Sequence, residues 1–108
     1  MRFLVLAYGD EKDWKTLSDR ERKELLAQDD ALRRRGDTVA ALGRGVTVRS
    51  WRAPSVTPGP FCHPDLPLAG FGVIEARDLD EVVSLVARTP CAVARGAVEV
   101  WPIREPTS

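Results

Sequence analysis

The sequence contains a single histidine, and it lies close to a carboxylate in a segment rich in proline. His63 precedes Asp65 by two residues, and both lie between Pro60 and Pro67. A carboxylate beside an imidazole fixes its tautomer and raises its basicity, which suits general acid–base catalysis. Because proline restricts the backbone, this segment can hold such a pair in place. The alternative interpretation is a surface histidine followed by an aspartate that caps a turn.

Two further polar candidates, Tyr8 and Asp10, flank Gly9 at the end of the first apolar segment. If the proline-rich loop folds over that segment, Asp10 faces His63 and Tyr8 lies at the rim of a pocket. An aspartate in a turn after glycine is the alternative. The carboxylates of Asp29 and Glu75 complete the set of acid–base candidates.

Aromatic side chains are the candidates for an apolar substrate cleft. These candidates are Trp51, Phe61 and Phe71, with Trp101. Aromatic residues at strand spacing are more often part of a dimer core, and that interpretation stays open beside the first. Arg49 and Arg52 flank Trp51 and can either bind a carboxylate or phenolate, or cover apolar surface with their stems.

Motifs of several other enzyme classes are missing from the sequence. There is no phosphate-binding glycine loop, serine nucleophile elbow or dinucleotide fingerprint. One histidine is too few for a zinc site built from this chain alone. Cys62 and Cys91 lack the spacing of a zinc knuckle or redox pair, and Cys91 follows Pro90 in an apolar context typical of a small buried side chain. We therefore expect a site with neither metal nor cofactor.

Length and charge exclude further classes of protein. The chain has 108 residues, with 16 basic and 16 acidic side chains that cancel to a net charge of zero. This balance disfavours a nucleic-acid partner. No apolar segment approaches the roughly 18 residues that span a membrane, and the N-terminal segment lacks signal-peptide features. We expect one cytoplasmic domain over residues 1–104, followed by a tail over 105–108.

Hydrophobic periodicity and capping residues predict the elements. In chain order they are a strand over 2–8, a helix from Ser18 to about Arg35, strands over 38–42 and 46–51, a stiff loop over 53–67, a strand over 69–76, a helix capped at Asp78 and ended by Thr89-Pro90, and a strand over 97–103. This order is the split βαβ arrangement of an α+β protein, with an antiparallel sheet and two helices on one face. The first strand is apolar on both faces, so the other sheet face also needs a cover. A second copy of the chain is the economical cover, which predicts a homodimer with sheets packed face to face.

Three segments of the chain resemble the YCII-related family, in particular its branch with a DGPF motif. They are Leu4-Val5-Leu6-Ala7-Tyr8-Gly9-Asp10, then Gly59-Pro60-Phe61 with the glycine-bearing strand Ala69-Gly70-Phe71-Gly72-Val73-Ile74, and Val98-Glu99-Val100-Trp101-Pro102-Ile103. The resemblance implies a ferredoxin-like fold that forms dimeric α/β barrels. Pro58 replaces the acidic first residue of the motif, and Cys62-His63-Pro64-Asp65 replaces the segment that usually follows it. The first helix also lacks a histidine, so a His–Asp dyad cannot be carried over from the wider family.

Two hypotheses for the function follow. The first is a small cofactor-free enzyme that acts on an aromatic or polyketide-like metabolite by general acid–base chemistry, as a lyase, isomerase or cyclase. The family resemblance favours lyase-like chemistry. The second is a non-catalytic dimeric accessory or sensing module in which the altered motif marks a degenerate site.

Overall fold

A computed structural model describes residues 1–62 and 64–106. The strands in this part of the chain are β1 (Arg2–Tyr8), β2 (Thr38–Ala41), β3 (Val46–Arg49), β4 (Ser55–Pro58), β5 (Leu68–Glu75) and β6 (Ala97–Pro102). The helices are α1 (Glu11–Lys15), α2 (Asp19–Arg34), α3 (Leu79–Val86) and α4 (Pro90–Val93). None of these helices is long and apolar enough to cross a membrane.

Four of the strands form one antiparallel sheet in the order β2-β5-β1-β6. The first strand therefore lies in the interior of the sheet and pairs with β5 on one side and with β6 on the other. This order places the two long crossover helices, α2 and α3, on the same face. The predicted α+β fold with a split βαβ arrangement is confirmed.

The two long helices begin at the capping residues that the sequence predicted. Ser18 and Glu21 form a reciprocal capping box at the start of α2, and Gly36 follows its end with a φ of 101°. The Asp78 side chain accepts a hydrogen bond from the Glu81 amide at the start of α3. These local interactions satisfy backbone groups that the helices leave unpaired, which explains why the boundaries were visible in the sequence.

Two short helices were not predicted. Asp10 caps α1 in the segment interpreted as a turn, and α4 begins at Pro90. The prediction that Thr89-Pro90 ends a helix is thus correct for α3 but incomplete. Proline is well suited to the first position of a helix because the amide that it lacks has no intrahelical partner there.

The core lies between the sheet and the two long helices. It is formed by Phe3, Val5 and Ile74 from the sheet and Leu32, Val82 and Val86 from the helices. The glycines of β5 allow β2 to pack closely against it: a Cβ atom on Gly70 would lie 2.8 Å from the Ala40 carbonyl oxygen, and one on Gly72 would lie 2.9 Å from that of Thr38. These glycines therefore accommodate the close approach of the neighbouring strand.

The segment between β2 and β5 differs from the prediction. The third strand does not join the main sheet but pairs with β4 in a separate two-stranded hairpin. The fourth strand lies inside the segment predicted to be a loop. Prolines exclude this segment from a central strand but not from the end of an outer one, where Pro58 pairs opposite Val46.

This hairpin, here called the β3-β4 arm, projects from the domain. Its valines at 46, 48 and 56 are exposed, and Trp51 in its turn is 87% exposed. The radius of gyration is 15.6 Å, whereas a compact domain of about 100 residues has roughly 13 Å. The arm therefore has an apolar surface that its own domain does not cover.

The sheet face opposite the helices, here called the open face, is also apolar. Strand register places Leu4 between Val73 and Trp101, and Leu6 between Phe71 and Glu99. Most of these side chains are half-buried, and Trp101 is 53% exposed. The prediction that β1 is apolar on both faces is confirmed.

Candidate functional site

A cavity of about 340 Å³ lies between α2 and the sheet, on the side where α1 and α4 meet the domain. Small residues form much of its floor, namely Ala7, Ala41, Gly70 and Gly72. Larger side chains at these positions would fill the space beneath the helix, so the cavity results from the small residues of three adjacent strands. Trp14 from α1 and Leu26 from α2 contribute to its walls.

One carboxylate, Asp29 of α2, lines this cavity. Burial raises the pKa of Asp29, and the nearby Asp30 raises it further, while Arg33 one turn away lowers it. The Arg33 guanidinium is held by other partners, since it donates to the Asp30 carboxylate at 2.8 Å and to the Val39 carbonyl at 3.0 Å. The charge of Asp29 is therefore only partly compensated, and its protonated form is favoured relative to an aspartate in water.

The thiol of Cys91 lines the same cavity. Burial raises the pKa of Cys91, and the negative charge of Asp29 adds to the shift. The thiol is therefore neutral at pH 7 and is a poor nucleophile. Gly9 makes room for it, because a Cβ atom at Gly9 would lie 3.0 Å from the Cys91 Sγ.

The arrangement suits proton transfer in an apolar environment. A carboxyl group with a raised pKa is closer to the pH at which an acid–base catalyst is most effective. The hydroxyl of Thr89, which also borders the cavity, donates to the Val86 carbonyl at 2.6 Å and is thereby held in place. The site therefore combines an aromatic wall, a proton donor or acceptor and room for a small ring.

Sequence reasoning named Asp29 only as a minor candidate, although a signal was present. Asp29 is four residues after Leu25 and three before Leu32, both of which are buried. These spacings place the carboxylate inside the apolar stripe of an amphipathic helix. Folding removes a charged residue at such a position from water. A carboxylate within the apolar stripe of a helix is therefore the sequence pattern that could have identified Asp29.

Two of the three predicted catalytic residues, Asp10 and Asp65, lie elsewhere in the described part of the chain. Asp10 caps α1, where its Oδ1 accepts a hydrogen bond from the Lys12 amide at 3.0 Å. Asp65 is exposed in the segment before β5. His63 lies outside the described residues. Neither Asp10 nor Asp65 is among the cavity-lining residues.

The predicted substrate-binding residues are spread over several surfaces. Tyr8 ends β1 on the open face, where the carboxylate of Glu99 raises the pKa of its phenol. Trp51 lies at the tip of the β3-β4 arm, and Phe61, 66% exposed, lies 5.3 Å from the Arg49 guanidinium, measured to the ring centroid. Of these four residues only Phe71 contributes to the cavity lining, and its register opposite Leu6 places its side chain on the open face.

The residues that the structure describes contain no cluster of three or more histidine, cysteine or acidic side chains able to bind a metal ion.

A comparison with family models assigns the sequence to a known family. The chain belongs to the YCII-related domain family, whose model matches residues 1–107. This confirms the family suggested by the sequence, while its DGPF branch stays a prediction.

One solved structure with a similar fold is 5-chloro-2-hydroxyhydroquinone dehydrochlorinase (TftG) from Burkholderia phenoliruptrix AC1100, in complex with 2,5-dihydroxybenzoquinone. It is 20% identical, with a TM-score of 0.51, and the match covers 98% of this chain and 96% of that one. At this identity the similarity concerns the fold alone. No curated protein matches the sequence.

Proposed function

We propose that this protein is a small cytoplasmic enzyme that needs no cofactor and performs general acid–base chemistry on a small ring compound. The observation that carries the proposal is the Asp29 carboxyl group inside an apolar cavity of about 340 Å³. This volume falls in the range of sites that bind small molecules, roughly 300–1,000 Å³. The reaction class is that of a lyase, isomerase or cyclase, in which proton transfer is the main demand.

The proposed role of Asp29 follows from its surroundings. The raised pKa lets its carboxyl group accept a proton from a phenolic hydroxyl or ring carbon and return it at another position. Trp14 offers a flat aromatic surface for a ring. TftG, a dehydrochlorinase seen with a hydroxylated six-membered ring, supports this substrate class by analogy of fold.

His63, Asp65 and Asp10 remain candidate catalytic residues. Their alanine variants belong in any turnover assay beside a variant of Asp29. The first such assay is release of chloride from 5-chloro-2-hydroxyhydroquinone, the compound named for TftG. Unchanged turnover in the variant His63→Ala would remove the role predicted for the histidine.

Cavity occupancy can be tested through the thiol of Cys91. In a Cys62→Ser background, iodoacetamide labelling at pH 8.5 reports on Cys91 alone, because the chain has two cysteines. We expect phenol, resorcinol or 4-methylphenol to slow this labelling in a saturable way. The variant Ala41→Phe, which fills the cavity from its floor, should abolish the protection.

Ala27→Phe is the matched control, since Ala27 is exposed on α2 and does not border the cavity. It should leave the protection intact. Equal protection in Ala41→Phe and in the wild type would show that the phenols bind elsewhere. Cavity binding without turnover of any compound tested would favour the alternative function, a non-catalytic sensing or accessory module.

We also propose that a second copy of the chain covers the open face. The half-buried apolar side chains of β1 and β5 and the exposed β3-β4 arm both support this, since a soluble monomer rarely exposes so large an apolar surface. Each arm would extend onto the partner domain, and the partner domain would cover Trp51 and Phe61.

Light scattering after gel filtration tests this assembly. We expect a mass of twice the 11.9 kDa of the chain. Leu6→Asp introduces a charge at the centre of the open face and should yield a monomer that keeps its helical circular dichroism. Val83→Asp, at an exposed position of α3, is the control and should remain dimeric. A wild-type monomer, or a dimeric Leu6→Asp variant, would contradict the proposal.

A further inference from the structure

An open groove between α1 and α2 adjoins the cavity that contains Asp29. The groove and the cavity share two lining side chains, Trp14 and Leu26. A molecule bound in the cavity can therefore extend past these side chains into the groove. The rest of the groove is formed by the first two turns of α2.

The groove is lined mainly by cations. They are Arg20, Arg22 and Lys23, with Asp19 as the one acidic residue of the lining. Arg22 forms an ion pair with Asp19, and Arg20 lies 3.4 Å from the Glu24 carboxylate. Lys23 forms no ion pair within residues 1–62 and 64–106. Its ammonium group is the cation of the groove that is available to a ligand.

The two compartments differ in charge. The lining of the inner cavity contains the Asp29 carboxylate, which repels an anionic group, and the Arg33 guanidinium, which is already engaged by Asp30 and Val39. The apolar walls offer little solvation for an anion. The groove is positively charged and open to water. A ring compound with one anionic end would therefore bind in a single orientation, with its ring inside and its charge in the groove.

We infer that the substrate of the proposed reaction carries a carboxylate that lies against Lys23 while its ring occupies the cavity. This inference rests on the proposed function and specifies its substrate class. The capping box engages the amides of Ser18 and Glu21 at the start of α2, and Lys23 is the side-chain cation that the groove offers. A single ammonium group suits a singly charged carboxylate.

Two probes of similar shape distinguish the contribution of the charge to binding from that of the ring. They are 4-hydroxyphenylacetate, which is anionic, and 4-hydroxyphenylacetamide, which is neutral. Their dissociation constants can be measured from protection of Cys91 against iodoacetamide in the Cys62→Ser background. We expect the acetate to bind about three- to fivefold more tightly, as is typical of a partly exposed ion pair. This preference should decline at 1 M NaCl, because salt screens exposed charges.

Variants of Lys23 test whether the preference for the acetate over the acetamide arises in the groove. Lys23→Gln should remove it and Lys23→Glu should reverse it, while the affinity for the acetamide stays unchanged. Arg34→Glu is the matched control, since Arg34 is an exposed cation of the same helix outside both compartments. It should keep the full preference.

The outcomes distinguish the two proposals. Equal affinity for both probes, or a preference that survives in Lys23→Glu, would overturn the inference and leave the proposed function intact. Protection by neither probe would overturn both the inference and ring binding in the cavity. Circular dichroism of each variant verifies that an altered preference does not come from unfolding.

Discussion

The variant Gly96→Ala is expected to unfold at a much lower urea concentration than the wild type. A Cβ atom at this position would lie 2.2 Å from the Tyr8 carbonyl oxygen and 2.5 Å from that of Cys91. Both are backbone atoms, so neither can move away without shifting the end of β1 or the helix α4. Overpacking typically costs about 1–3 kcal/mol, and we expect the upper end of this range because the neighbours are backbone atoms.

Gly43→Ala is the matched control for this experiment. A Cβ atom at Gly43 would meet no atom within 4 Å. Its effect on the free energy of unfolding should stay within about 1 kcal/mol, with a small gain possible because alanine restricts the unfolded chain. Equal urea midpoints for Gly96→Ala and the wild type would contradict the packing described here.

The same glycine affects both the stability of the fold and the shape of the candidate site. Tyr8 ends the strand that contributes Ala7 to the cavity floor, and Cys91 supplies the thiol in its wall. Gly96 lets the backbone of these two segments approach from opposite sides. A variant that separates them would also open the cavity, so Cys91 should be labelled faster in any folded fraction of Gly96→Ala.

Much of the fold was predictable because its signals are local. Apolar residues on both alternating sets of 2–8 indicated an interior strand, and Ser18 and Asp78 marked the helix starts through their own hydrogen bonds. The pairing of β3 with β4 was not predictable in this way. It depends on which strand meets the short segment Val46–Arg49, and the prolines near β4 concealed the partner.

The candidate site was harder to predict because it depends on tertiary packing. The cavity exists because small residues from three strands meet beneath one helix, and the contact of Gly9 with Cys91 joins residues that are distant in sequence. Sequence reasoning concentrated on the histidine, whose ordinary pKa lies near neutrality. The pKa of a carboxyl group is raised only after burial, and the burial of Asp29 depends on the packing of α2 over the sheet.

Replacement of Asp29 by asparagine is therefore expected to stabilise the protein. Because burial raises the pKa of Asp29 in the folded state, the folded protein binds more protons than the unfolded one between the two pKa values. Ionisation of Asp29 thus opposes folding, and its cost is fully present above the folded pKa. Asparagine removes that cost. The gain in the free energy of unfolding should be absent below about pH 3.9, the ordinary pKa of aspartate, and should grow as the pH rises through the raised value.

The same replacement should reduce turnover, so that stability and activity change in opposite directions, as is common at functional sites. Asparagine can neither accept nor release the proton, and loss of a positioned acid–base group typically lowers kcat by about 10²- to 10⁴-fold. If Asp29 acts as a base, kcat/KM of the wild type rises with pH through its raised pKa and then levels off. Asp80→Asn, an exposed aspartate of α3 outside the cavity, should change neither property appreciably. Full turnover in Asp29→Asn would remove Asp29 from the reaction, and a loss of stability at pH 8 would show that its carboxylate makes favourable contacts that outweigh the cost of its burial.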